Sequence, residues 1–249
     1  MTGRTGGEAV AAASLSTAER SLVEASAALA SGSEDALRTA LADAALAADP
    51  LEVEEALLQS YLFLGYPAAL AALALWRKLS PAPPTGASRD DWPGWARRGA
   101  ALCRRVYSTQ YRELRDNVRR LHPDLERWMV VEGYGKVLSR PGLAPLTREY
   151  CIVALLAVAD AGPQLYSHMR GALNLGAPAD ALVETLEVAG RFLDEARGAA
   201  ARATWRRVVS RREEGGPQVR DGVRPGEPDG GKGGDRNAGE IARPDGDGR

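Results

Sequence analysis

The fold is decided by residues 140–176, which read RPGLAPLTREYCIVALLAVADAGPQLYSHMRGALNLG. An apolar run follows residues 147–149 (TRE), a short break stands at residues 161–163 (AGP), and a second helical segment carries His168. A short joint between two helices makes them antiparallel neighbours. The stretch therefore predicts a helical hairpin with Glu149 and His168 on consecutive helices. Their side chains meet only if the helices cross closely or the joint folds back.

The composition of the chain favours an all-α fold. The sequence has 249 residues and 45% hydrophobic content, enough to bury one or two cores. Alanine and leucine dominate, only 6% of the residues are aromatic, and few runs alternate apolar with polar residues. Apolar residues recur instead at helical spacing along most of the chain. We therefore predict an all-α protein.

Charge and targeting signals narrow the classes of function. The formal net charge is −1, so nothing favours binding to nucleic acid or to an anionic membrane surface. No uncharged apolar run is long enough to predict a transmembrane span. Residues 1–13 lack the basic start and strong apolar core of a signal peptide. These features predict a cytoplasmic protein with neither a nucleic-acid nor a membrane partner.

Composition divides the chain into five segments. Residues 1–15 are small and polar, and we predict that they are disordered. Residues 16–80 indicate a helical repeat, the proline-rich residues 81–90 a linker, and residues 91–211 the main helical domain. Beyond them, 11 of the 27 glycines and 4 of the 15 prolines fall in residues 212–249. Such a tail buries too little surface to offset its ordering entropy, so it is predicted to be disordered.

The chain matches itself at an offset of 129 residues, so residues 17–79 resemble a degenerate copy of residues 146–208. The clearest matches are two endings: Phe63-Leu64 with Phe192-Leu193, and Trp76-Arg77-Lys78 with Trp205-Arg206-Arg207. The alternative is that two alanine-rich helical hairpins match by composition alone. With duplication, the chain is a pseudo-dimer of two related halves.

The first copy lacks the polar pair of the second. At the same offset, Arg20 stands where the second copy has Glu149, and Thr39 stands where it has His168. If one copy is active, it is therefore the second. The first copy then serves as a structural partner and supplies the helical face that a second subunit would otherwise supply.

Residues 128–208 carry an ordered set of short motifs. They are GYGKVLSRPGL at 133–143, Arg148-Glu149, His168, ALNLG at 172–176, and a helix that contains Glu184. This set resembles the carboxymuconolactone decarboxylase family, the broad group that also holds the alkylhydroperoxidase D proteins. The resemblance implies the helical bundle of that family. It also implies a homo-oligomer, since family members usually assemble from dimers into rings.

Glu149 and His168 match the glutamate and the histidine of the family. An imidazole suits proton transfer near neutral pH, so the resemblance implies a catalytic histidine oriented by a glutamate. Structural alternatives exist for both residues. A histidine on a helical face is commonly a satisfied core or interface residue, and a carboxylate in the first turn of a helix interacts favourably with the helix dipole.

The thiol motif of the alkylhydroperoxidase D proteins is absent. In those proteins a C-x-x-C pair stands between the glutamate and the histidine, and here its two positions hold Ala161 and Gln164. Thiol peroxidase chemistry needs a thiolate and usually a resolving thiol. Cys103 and Cys151 lie elsewhere and form neither a C-x-x-C pair nor a metal-binding pattern. An alkylhydroperoxidase-like antioxidant activity is therefore the disfavoured alternative.

The decarboxylase branch of the family also lacks these cysteines. The resemblance implies decarboxylation of a small carboxylated lactone-type substrate without metal or organic cofactor, with His168 as the proton donor. Arg140 is a candidate anchor for the substrate carboxylate, or else a turn residue that caps helix carbonyls. Tyr134 and Tyr166 are candidate pocket walls, or else packing residues. A further alternative is a non-catalytic helical assembly or binding protein that has kept the fold.

Overall fold

The computed structural model describes residues 14–84, 86 and 91–214. The disorder predicted for residues 1–13 and 215–249, and the linker predicted at 85 and 87–90, lie outside this part of the chain. Disorder was also predicted for residues 14–15 and 212–214, and for these residues the prediction is wrong. Leu15 is buried and its amide donates to Glu184 Oε2 at 2.9 Å, while the last helix continues to Glu214.

The described residues form helices and no strand. The α-helices are α1 (Thr17–Ser31), α2 (Glu34–Ala47), α3 (Pro50–Gln59), α4 (Tyr61–Leu79), α5 (Trp92–Tyr107), α6 (Tyr111–Leu121), α7 (Pro123–Trp128), α8 (Pro145–Val158), α9 (Gly162–Asn174), α10 (Ala179–Gly190) and α11 (Glu195–Glu214). A 3₁₀ turn at Ser108–Gln110 joins α5 to α6, and a π-helix at Met129–Leu138 continues α7. The all-α prediction is confirmed.

Side-chain caps account for where the first helices begin. Ser16 and Glu19 form the capping box that the sequence predicts at the start of α1, with the Glu19 amide donating to Ser16 Oγ at 3.2 Å. Ser33 caps α2, and Asp49 caps α3, where Pro50 stands in the first turn. Local sequence chemistry therefore determines the starts of these three helices.

Helix α4 is long and apolar enough to cross a membrane by length and composition alone. Its path is interrupted at Gly65, whose φ of 79° is not helical, and Pro67 follows two residues later. The uninterrupted part, residues 66–79, is about 21 Å long at a helical rise of ~1.5 Å per residue. The hydrocarbon core of a bilayer is roughly 30 Å thick, so this part is too short to span it upright.

Helix α5 and the π-helix cross at two glycines. A β-carbon on Gly99 would lie 2.0 Å from the carbonyl oxygen of Val130, and one on Gly135 would lie 2.0 Å from that of Trp95. Backbones come this close only where neither residue carries a side chain. The crossing holds the N-terminal half of α5 against the π-helix.

Helix α8 is the centre of the core. Every residue from Thr147 to Val158 is buried. Helix α1 packs along α8, and α9 and α10 pack on its other sides. One apolar cluster joins α8 to α5, the π-helix, α9 and α10, while a second cluster joins α1–α4 and reaches α8 at Cys151. The N-terminal and C-terminal helices thus share α8 as a common wall.

Candidate functional site

Glu149 and His168 form a hydrogen-bonded pair in the interior. Glu149 comes from α8 and His168 from α9, and the imidazole Nδ1 lies 2.8 Å from Glu149 Oε2. Their side chains are only 3% and 8% exposed. Because a carboxylate accepts, Nδ1 is the donor and Nε2 is left for other partners. Helices α8 and α9 therefore cross closely enough for the two side chains to meet.

The start of α8 determines the turn in which Glu149 lies. The helix begins at Pro145 with Ala144 as its N-cap, so Glu149 lies in the second turn. The sequence interpretation that placed it in the first turn, beside the positive end of the helix dipole, is wrong because α8 starts two residues earlier. Glu149 instead lies on the fully buried part of α8.

The ring of Phe63 packs against the imidazole of His168. The ring centroids are 5.5 Å apart and the planes meet at 82°, a T-shaped contact. Phe63 belongs to α4, so the N-terminal helices contribute directly to the site. Sequence reasoning missed this residue. The one signal that could have found it is its alignment with Phe192 in the internal match.

Gly171 is the point where α5, α8 and α9 meet. A β-carbon there would lie 2.6 Å from Val106 Cγ1 and 3.4 Å from Glu149 Oε2. The Asn174 side-chain amide also donates to the Val106 carbonyl at 2.8 Å, which ties α9 to the end of α5. The absence of a side chain at Gly171 therefore lets α5 approach the carboxylate of Glu149.

Tyr134 lies in this region together with a second tyrosine that the sequence did not single out. The Tyr134 hydroxyl donates to the Tyr107 hydroxyl at 3.2 Å, and the two rings form a T-shaped contact at 6.0 Å. Burial raises the pKa of both phenols, and the negative charge of Glu149 acts in the same direction. The charge of Glu149 therefore acts on Tyr134 and also on Tyr107, to which Tyr134 is hydrogen-bonded.

Arg140 lies in a buried ion cluster. Its Nε donates to both carboxylate oxygens of Glu55, at 2.9 and 3.0 Å. Arg148 binds the same carboxylate through Nη2 at 2.8 Å, and its Nη1 donates to Gln59 Oε1 at 3.2 Å. The carboxylate of Glu55 thus binds Arg140 where the sequence prediction placed a substrate carboxylate. The prediction that Arg140 anchors the substrate is therefore wrong.

Tyr166 packs against cations on two helices. The guanidinium of Arg207 lies 4.5 Å from its ring centroid, and that of Arg170 lies 5.7 Å away. These are cation–π distances. The contacts fit the packing alternative, and a pocket-lining role for Tyr166 stays a prediction.

Both cysteines are buried thiols. Burial raises the pKa of Cys103 to about 12, although Arg115 and Arg104 act in the opposite direction. Burial also raises the pKa of Cys151 to about 12, and this residue packs in the cluster of α1–α4. Neutral, enclosed thiols are poor nucleophiles. Within the described ranges, no group of three or more His, Cys, Asp or Glu residues could hold a metal ion.

Comparison with known proteins gives one distant similarity. No family model matches the chain. The chain is similar to Peroxisomal protein 2 of Schizosaccharomyces pombe, with 28% identity over 142 residues, which is 55% of this chain and 67% of that protein. An identity of this size does not establish a family.

Proposed function

We propose that this chain is a cofactor-free acid–base enzyme of the carboxymuconolactone decarboxylase type, acting on a small carboxylated lactone-type substrate. The observation that carries the proposal is the 2.8 Å hydrogen bond between His168 and Glu149 in a buried site. Burial of a polar pair costs free energy that a purely structural core would avoid. Paired acid–base groups in an interior lined by aromatic rings are a common arrangement for proton transfer.

The residues support a simple reaction sequence. The bond between the substrate carboxylate and its neighbouring carbon breaks, and its electron pair moves into the conjugated carbonyl as an enolate while carbon dioxide leaves. Protonated His168 then transfers a proton to the carbon, and water returns a proton to the imidazole. Glu149 orients the ring through Nδ1, which directs Nε2 towards the substrate.

The alternatives have less support. A peroxidase needs a reactive thiolate, and both thiols are buried with a raised pKa. A non-catalytic scaffold needs no buried carboxylate beside an imidazole, although the packing of Phe63 on His168 would suit it. The name of the Schizosaccharomyces pombe relative refers to the peroxisome and to no activity. The cytoplasmic location of this chain stays a prediction.

We also infer that the two halves of the chain are copies. Shifting the N-terminal helices by 129 residues superposes their bounds on the C-terminal ones: 146–160 on α8, 163–176 on α9, 179–188 on α10, and, for the part of α4 after Gly65, 195–208 on α11. Composition alone would not align four helix starts to within one residue. The agreement favours a duplicated pseudo-dimer.

Ion pairs between the halves support the same inference. Glu55 of α3 pairs with Arg148 of α8, while the aligned Glu184 of α10 pairs with Arg20 of α1. Each glutamate thus reaches the first helix of the other half, through arginines that stand one position apart in the alignment. A chain that supplies both halves would need fewer copies to build the ring of the family, and the homo-oligomer stays a prediction.

The proposal is tested by measuring carbon dioxide release from a panel of unsaturated lactone carboxylic acids. We expect His168→Gln to lower kcat/KM for the best substrate by at least about 100-fold, because a positioned acid contributes about that much. Glu149→Gln should lower it less. The control is His122→Gln, which changes the other histidine, an exposed cap of α7. Release that is equal in wild type and His168→Gln, or no release from any lactone acid, would contradict the proposal.

A further inference from the structure

We propose that Tyr107 is a further catalytic residue of this site, whose hydroxyl donates a hydrogen bond to the oxyanion of the enolate, and that Tyr134 positions it. The inference rests on the proposed function and deepens it. It narrows the substrate class to acids whose loss of carbon dioxide places negative charge on a conjugated carbonyl oxygen. Such an anion needs a donor aimed at the oxygen, separate from the group that protonates the carbon.

The hydroxyl pair leaves one proton for a ligand. A phenol has one O–H group, and that of Tyr134 donates to the hydroxyl oxygen of Tyr107 at 3.2 Å. The proton of Tyr107 is therefore directed elsewhere. Tyr134 is only 4% exposed, whereas Tyr107 is half-buried. Of the two residues, Tyr107 is therefore the less enclosed.

The fold places Tyr107 beside the dyad. Tyr107 is the last residue of α5, and its neighbour Val106 contacts α9 at Gly171, against which Glu149 Oε2 also lies. The crossing of α5 with the π-helix fixes the ring from the other side through Tyr134. The C-terminal end of α5 and the carboxylate of Glu149 thus lie against the same glycine, which places Tyr107 in the neighbourhood of the dyad.

The protonation state suits this role. Burial raises the pKa of both phenols, so both hydroxyls keep their protons near neutral pH. A neutral phenol donates a hydrogen bond to an anion without adding a like charge to the site. The negative charge of Glu149 repels an enolate bound beside the dyad. A hydrogen bond from Tyr107 to the enolate oxygen would offset part of this repulsion.

The test uses 4-nitrophenol as an oxyanion probe, since its absorbance reports whether the bound molecule is ionised. Wild-type protein should bind 4-nitrophenolate, and Tyr107→Phe should bind it roughly 10- to 100-fold more weakly, the usual loss for a hydrogen bond to a charged group. Binding of the neutral probe 4-nitroanisole should be unchanged, which a collapsed site would not allow. Tyr66→Phe, which changes an exposed tyrosine of α4, is the matched control and should bind both probes as wild type does.

Two outcomes overturn the inference. They are equal affinity of Tyr107→Phe and wild type for 4-nitrophenolate, and no binding of 4-nitrophenolate by wild type. Failure of the proposed function gives a different pattern. In that case carbon dioxide release is absent or insensitive to His168→Gln, while the loss of 4-nitrophenolate affinity in Tyr107→Phe persists.

Discussion

Gly135→Ala is expected to lower the free energy of unfolding by at least about 3 kcal/mol, near the upper end of what overpacking costs. The added β-carbon would lie 2.0 Å from the Trp95 carbonyl oxygen and 2.6 Å from its carbonyl carbon. Both atoms belong to the backbone of α5, so no side-chain rotation relieves the clash. The helices must separate, and the contact of α5 with the π-helix is then lost.

Urea unfolding followed by circular dichroism measures the effect. The matched control is Gly133→Ala, two residues earlier in the same π-helix, where a β-carbon would meet nothing within 4 Å. It should unfold within about 1 kcal/mol of wild type, since alanine also favours helix over glycine. If both variants unfold at the same urea concentration, the close crossing of α5 and the π-helix is not present in solution.

Glu55→Ala is expected to destabilise the fold by roughly 3–5 kcal/mol, the usual cost of removing one partner from a buried ion pair. Glu55 is 2% exposed and binds Arg140 and Arg148 at once. Its loss would leave the Arg148 guanidinium, also 2% exposed, without a counter-charge. Arg140 is 17% exposed and can turn towards water, so Arg148 carries most of the cost.

A surface pair provides the control for Glu55. Glu34 pairs with Arg38 on α2, and both side chains are well exposed, so Glu34→Gln should change the stability by less than about 1 kcal/mol. The double variant Glu55→Leu with Arg148→Met should recover part of the loss, because an apolar replacement removes the uncompensated charge. A Glu55→Ala protein as stable as Glu34→Gln would show that the cluster does not hold α3 to α8.

Local sequence signals predicted most of the helices. A Ser-x-x-Glu pattern at Ser16, cap residues at Ser33 and Asp49, and a proline after Asp49 are visible in the sequence, and each stands at an observed helix start. These signals act within one turn of helix, so they can be seen without the fold. The break between α8 and α9, at residues 159–161, overlaps the break predicted at residues 161–163.

The sequence could not show the π-helix. The helical spacing of apolar residues along most of the chain predicts ordinary α-helices, whereas residues 129–138 are wound more loosely. Gly133 and Gly135 are the local hint, but glycine marks many other features. The backbone of α5 lies against Gly135, and it comes from about 40 residues earlier in the chain, where no local pattern reports the contact.

Of the candidate site, the sequence predicted the Glu149 and His168 pair but not its surroundings. The pair was predicted because both residues match motif positions of the family that residues 128–208 resemble, whereas their spacing alone left the contact open. Phe63 and Tyr107 come from α4 and α5, and no local spacing links them to His168. Arg140 was assigned to a substrate because its partner Glu55 lies 85 residues earlier, beyond the reach of any motif.

The central claim is that Glu149 and His168 act as one unit, and the most direct test is NMR of the His168 imidazole in wild type and Glu149→Gln. In wild type we expect the Nδ1 hydrogen to be observed at low field and to exchange slowly with water, because it is buried and donated to a carboxylate. In Glu149→Gln this signal should move upfield or disappear through exchange. Identical ring signals in the two proteins would contradict the account.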